Sequence, residues 1–187
     1  MTTATQTDQE RITGDYTIDA GHSRMGFQAR HAMVTKVRGH FGDFEGSFHL
    51  DPASPENSSA TVTIQAKSID TGNSDRDAHL RSNDFFAMDE YPEITFVSTS
   101  AERIDDDSFK LNGDLSIKGV TRPVSIKFEY NGVETDPWGN TRIGFEGSTD
   151  VNRKDWGVNW NAALDSGGVL VSDKVKLEFD VSATKNA

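Results

Sequence analysis

The segment PVSIKFEY, residues 123–130, puts Val124, Ile126, Phe128 and Tyr130 on one side of an extended chain and Ser125, Lys127 and Glu129 on the other. Successive side chains of a strand point to opposite faces, so this period of two predicts a strand with one buried face. The same period runs outward in both directions. FKLNGDLSI (109–117) aligns Phe109, Leu111, Leu115 and Ile117; RIGFEGSTDV (142–151) aligns Ile143, Phe145 and Val151. VLVSDKVKLEFDV (169–181) aligns Val169, Val171, Val175, Leu177, Phe179 and Val181. Upstream, Met25, Phe27 and Ala29 oppose Arg24, Gln28 and Arg30, and Val62, Ile64 and Ala66 alternate with Thr and Gln. Phe44, Phe48 and Leu50 share a face, while Phe41 has the opposite parity, which predicts a bulge near Gly42. With EITFVSTSA (93–101) this makes about eight strands, joined by turn-forming Asp, Gly, Asn and Pro clusters.

One segment breaks the period. NSDRDAHLRSNDFF (73–86) reads as a short helix, capped by Ser74 with Asp77 in a capping-box arrangement and Asp75 in the first turn. Asp77 and Arg81, and likewise Asp75 and His79, are four apart and can pair. Pro92 bars helix beyond Tyr91. The helix is either a solvated element packing its phenylalanines on the end of the sheet, or a lid whose aromatics line a cavity. Eight strands with one apolar face form a sandwich or a closed barrel. Gly113 and Gly147 fall on inward positions, where they either leave a hollow or mark a twist.

Bulk properties exclude several functions. The chain has 187 residues and a net charge of −11. That size suits one domain over residues 14–187, with residues 1–13 read as a mobile polar tail. The charge argues against nucleic acid and against electrostatic docking on anionic lipid. With no cysteine there is no disulfide, thiolate site or Cys nucleophile. No run is apolar enough for a signal peptide or a membrane span, so a soluble, cytoplasmic protein without stable membrane insertion is expected.

His22, His31, His40 and His49 recur every nine residues. Nine is odd, so consecutive members point to opposite faces and cannot share one metal from a continuous ladder. No metal and no cofactor are expected. His31, in phase with Phe27 and Ala29, is either a polar group at a ligand's head or a hydrogen-bonded strand-end histidine. LDSGGVL (164–170) superficially resembles a serine-protease nucleophile loop, but lacks the partner segments and reads as a turn. Trp156 and Trp160 beside Arg153 and Asp155 form a packed corner, a cavity cap or a sugar-binding pair.

Five segments together resemble the YceI-like family of polyisoprenoid-binding proteins: YTIDAGHSRMGFQARH, VRGHFGDFEG, RDAHLRSNDFFAMDEYPEITF, GDLSIKGVTRPV and NRKDWGVNWN. They occur in the family's order and span about residues 16–181. The resemblance implies an all-β fold: an extended, eight-stranded, antiparallel lipocalin-like barrel, here with a short helix at one end. It also implies an apolar tunnel for a polyprenyl or fatty-acid-like chain, a homodimer, and no defined catalysis. Many members of the family are periplasmic.

The expected function is to bind, store or carry such a lipid, with an isoprenoid quinone or a precursor as a candidate. Phe27, Phe41, Phe44, Phe85, Phe86, Phe96 and Leu164 are the expected walls, and His31, Arg76 and Asp77 the polar end. The alternative is an enzyme acting on a lipid-like substrate with His31 or His79 as general base.

Overall fold

The computed structural model describes residues 6–186. Helix α1 (Gln6–Ile12) leads into β1 (Gly14–Ile18), β2 (Arg24–His31), β3 (Thr35–Phe41), β4 (Phe44–Leu50), β5 (Ser59–Gln65) and β6 (Ile69–Asp70). Helix α2 (Ser74–Arg81) follows, then β7 (Glu93–Arg103), β8 (Ser108–Ile117), β9 (Val120–Thr135), β10 (Thr141–Asn152) and β11 (Lys174–Lys185). Among the described residues the hydrogen-bonded order β1-β4-β5-β7-β8-β9-β10-β11 returns to β1, closing an eight-stranded antiparallel barrel.

Three of the long staves are bent. β1 and β2 both pair with β11, through Ile18↔Ala183 and Met25↔Phe179. β3 and β4 are separated by Gly42 and Asp43, where the bulge was expected from parity. β5 and β6 are separated by a 3-10 turn at Ala66–Ser68. At the first bend the Asp19 carboxylate accepts from the Gly21 N–H and meets Arg142 and His22, each at 2.8 Å. Arg142, then His22, hold that carboxyl below its ordinary range. β10 and β11 stay in register from Arg142↔Thr184 to Asn152↔Lys174. The apolar positions read from the sequence face inward: Val124, Ile126 and Phe128 are buried on β9, and Ile143 and Phe145 on β10.

Some expectations are corrected. Val169 and Val171 lie in the loop before β11, not on it. α2 is capped one residue early: Asn73 accepts from the Arg76 N–H, and Asp77 instead accepts from the Thr71 N–H at 3.0 Å. Neither helix pair forms, because Arg81 donates to the Lys67 and Ile69 carbonyls and His79 meets Asp84. Within residues 1–13, read as a tail, residues 1–5 lie outside the described residues. The rest forms α1, whose Ile12 is only 3% exposed. A single apolar residue at the end of a polar helix gives too weak a period to be read locally.

The β2–β3 hairpin turns tightly. The Val34 N–H donates to the His31 carbonyl, with Ala32 at φ 50° and Met33 at φ 64° between them. Two consecutive positive φ values define a turn that Asn-Gly normally fills, and an L residue there costs on the order of 1 kcal/mol.

Tyr16 ties α1 to the barrel. Its ring is fully buried and stacks on Phe48 with centroids 5.0 Å apart, and its hydroxyl donates to the Ile12 carbonyl at 2.8 Å. Burial, with Tyr130 nearby, pushes its hydroxyl up to about 12. A folded-state value above the unfolded one means the neutral form is favoured by folding, so this stabilisation is whole below pH 10 and is lost as pH rises through about 12. Urea titrations across that range should show stability falling in the wild type. Tyr16→Phe should lose about 0.5–1.5 kcal/mol at neutral pH and show a shallower alkaline decline. An unchanged alkaline slope in the variant would refute the assignment.

Candidate functional site

A cavity of about 200 Å³ runs inside the barrel. Its wall is built from inward positions of eight staves, among them Met25, Val62, Ile64, Phe96, Leu111, Leu115, Ile126, Phe128, Phe145, Leu177 and Phe179. One end is lined by polar groups: Asp51 and Ser58 from the β4–β5 connection, Arg103 with Asp105, Asp106 and Asp107 from the β7–β8 turn, and Gln9 of α1. Four carboxylates, one guanidinium and the His49 imidazole therefore line this mouth.

The opposite end is packed shut. Phe85, Trp156, Val158, Ile94, Leu115 and Val124 form one buried cluster, with Leu80, Phe86 and Trp160 against it. Trp156 donates its indole N–H to the Leu115 carbonyl at 2.8 Å. Buried Arg153 donates to the carbonyls of Ser172 at 2.9 Å and Val158 at 2.6 Å, which ties the loop 157–173 to the barrel. Trp156 is thus a packed corner, and Trp160 meets His79 edge-on at 4.6 Å and Phe85 at a tilt at 5.3 Å.

The wall is hollow for a specific reason. Phe128 lies over Gly147, its directly paired neighbour on β10, and a Cβ there would sit 2.5 Å from Cδ1 of the ring. A Cβ at Gly113 would sit 2.6 Å from Cε2 of Phe96. A bare backbone admits the ring against the wall, where any side chain would turn it toward the axis. The expected hollow therefore does not lie above the glycines, which the rings occupy. It lies along the axis that the rings vacate.

Of the ten residues expected at the site, Phe96 lines this cavity. Phe44 packs behind it with Ile18 and Met25. Phe27 lies over Gly39 and contacts Phe41, which meets Phe86 edge-on at 6.2 Å. Those three, with Phe85, belong to the closed end. Leu164 is half-buried beside Gly168, against which Met33 also packs. Arg76 and Asp77 both engage Thr71, Arg76 through its hydroxyl and its carbonyl at 2.7 Å, folding the connection between β6 and α2. His31 is exposed. The polar groups that do meet the cavity, at the β4–β5 and β7–β8 connections, were missed. The alternation on β8 to β11 had already placed Leu111, Ile126, Phe145 and Phe179, which line the cavity, on the apolar face of their strands.

The histidines are dispersed. His22, His49 and His79 each meet a separate carboxylate, Asp19, Asp15 and Asp84, at 2.7–2.8 Å. Among the described residues no three His, Asp or Glu converge to hold a metal. A general base needs both a partner and access to substrate. His79 has the partner, but neither it nor His31 lines the cavity; His49, paired with Asp15, lines it at the mouth.

Such a cavity can hold a narrow, flexible, apolar molecule with its polar end at the carboxylate-lined mouth. The YceI-like domain family matches residues 16–183. A UPF0312 protein of Staphylococcus aureus is 39% identical over 165 residues, 88% of this chain and 94% of its own length. A YceI protein of Campylobacter jejuni superposes with a TM-score of 0.73 at 31% identity, over 84% of this chain and 90% of that one. A polyisoprenoid-binding domain from Saccharophagus degradans shares the fold, with a TM-score of 0.70 over 91% and 98% of the two chains and 15% identity. A meander of bent staves closed by β1 on β11, joined to a match across nearly all of the barrel, leaves one assignment: the chain belongs to the YceI-like domain family.

Proposed function

We propose that this protein binds a long-chain apolar lipid, of the isoprenoid or fatty-acyl kind, along the barrel axis and carries it through water. The observation that supports this is the cavity wall: aliphatic and aromatic along its length, with polar groups gathered at one mouth. Each CH₂ taken out of water contributes about 0.8 kcal/mol, so affinity can come from the tail with few directed contacts. The likeness to a polyisoprenoid-binding domain points to the same ligand class. The carboxylates at the mouth disfavour a phosphate head and suit a neutral one, such as a hydroxyl, amide or quinone ring. The role is binding and not catalysis, the tail being held by shape and apolar contact.

Organic extraction of the purified protein followed by mass spectrometry should recover a lipid with a long apolar chain and an uncharged head. Recovery of a polyprenyl phosphate would refute the head assignment; recovery of no lipid, with no uptake of added prenyl alcohol, would refute the carrier.

Gly147→Val should drive the Phe128 ring into the lumen and weaken binding of a fluorescent prenyl alcohol at least about tenfold, the cost of one misplaced large apolar group. Adding Phe128→Leu should restore binding by returning the space. Equal binding by Gly147→Val and wild type would place the ligand outside the barrel.

A further inference from the structure

At the closed end the β2–β3 hairpin presents an apolar tip. Met33 is 62% exposed and Val34 74%, and Val169 of the adjoining loop is 39% exposed. The Ala32 N–H donates to the Leu170 carbonyl, so hairpin and loop form one surface. Behind the tip the outer face is basic. Arg30 lies directly opposite Lys36, and Arg38 opposite Gln28; Lys176 of β11, the next neighbour, is already paired with Glu178 at 3.7 Å. Among the described residues no carboxylate lies within ion-pair distance of Arg30, Lys36 or Arg38. The chain has 30 acidic residues, yet residues 20–42 contain none. The net charge of −11 therefore conceals a local exception: the hairpin strands carry only cations, while four carboxylates line the mouth at the far end.

Three local preferences are broken here together. Two non-glycine residues occupy left-handed positions, two large apolar side chains stand in water, and two like charges face each other across a strand pair. Residues that break such rules without a folding gain cluster at functional surfaces.

We propose that this hairpin is a membrane-docking element, with Met33, Val34 and Val169 entering the interface of an anionic bilayer and Arg30, Lys36 and Arg38 meeting its phosphates. An apolar wedge backed by basic residues suits a surface whose headgroups are negative and whose interior is apolar. A zwitterionic surface has phosphates but no net negative potential, so it would attract the cations far less. Docking this way holds the carboxylate-ringed mouth away from the negative surface, as like-charge repulsion requires. The inference is independent of what the tunnel holds, because neither Met33 nor Val34 lines it.

Co-sedimentation of the full chain with vesicles tests it, using phosphatidylglycerol mixed with phosphatidylcholine against phosphatidylcholine alone. Light scattering on the vesicle-free protein reports its oligomeric state. Binding is expected to the anionic vesicles only, and to weaken with added salt. Lys36→Glu should weaken it at least about fivefold, as expected for removing one interfacial cation.

A combined Ala32→Asn, Met33→Gly, Val34→Ser variant should weaken it at least about tenfold by removing the wedge. Its thermal midpoint should not fall, because Asn-Gly suits the turn better than Ala-Met; loss of binding in that variant cannot then be misfolding. No sedimentation with either vesicle overturns the proposal, as does equal binding to both or full binding by the tip variant. A wild-type dimer that the tip variant dissociates, without vesicle binding, also overturns it and makes this face a contact between copies.

Discussion

An aromatic ring lying flat on a bare backbone is what keeps this barrel open. Eight staves make a cylinder narrow enough for inward side chains to fill it, and this one carries phenylalanines on several of them. Upright rings at Phe96 and Phe128, which sit at different levels of the barrel, would each take up lumen. Gly113 and Gly147 let them fold against the neighbouring strand instead. The barrel keeps large apolar area on its wall while leaving a thread of space down its middle. The same rings brace the sheet: Phe109 stacks on Phe128 at 5.6 Å, and Phe145 meets Phe48 and Phe109 edge-on.

The two ends of the cylinder serve opposite purposes. α1, anchored through Tyr16, and the β4–β5 and β7–β8 connections frame a mouth with acidic groups. At the other end α2, the aromatic cluster around Trp156 and Trp160, and the loop tied down by Arg153 close the lumen. Past the bends at Asp19 and Gly42, β2 and β3 run on beside β11 to that closed end. The hairpin they form carries its charge and apolar surface outward, separately from the tunnel. Packing constrains the first set of residues, while the exposed hairpin is free to carry a different chemistry.

Much of the barrel was legible because parity is local. A residue's face on a strand depends only on odd and even position, so the runs from Phe109 to Val181 declared their inward members without any knowledge of their neighbours. Choosing the site from that alternation alone would have named Leu111, Ile126, Phe145 and Phe179. The preference for phenylalanine as a wall residue led elsewhere, to Phe27, Phe41, Phe85 and Phe86, whose place at the closed end depends on where α2 docks. Arg76 and Asp77 looked available for a ligand because their shared partner, Thr71, engages them only once the connection before α2 has folded back. Whole-chain charge is likewise a sum without positions, and so says nothing of the acid-free run at residues 20–42.

Strand identity, inward parity, the bend near Gly42 and family membership were set by the amino-acid order alone, because each rests on interactions between residues close along the chain or on ordered segments. Tertiary structure alone decided which end opens, which rings lie against glycine, which polar groups reach the lumen and which cations gather behind Met33. Those properties depend on cross-strand neighbours brought together by closure of β1 on β11, residues about 170 positions apart whose pairing no local pattern specifies.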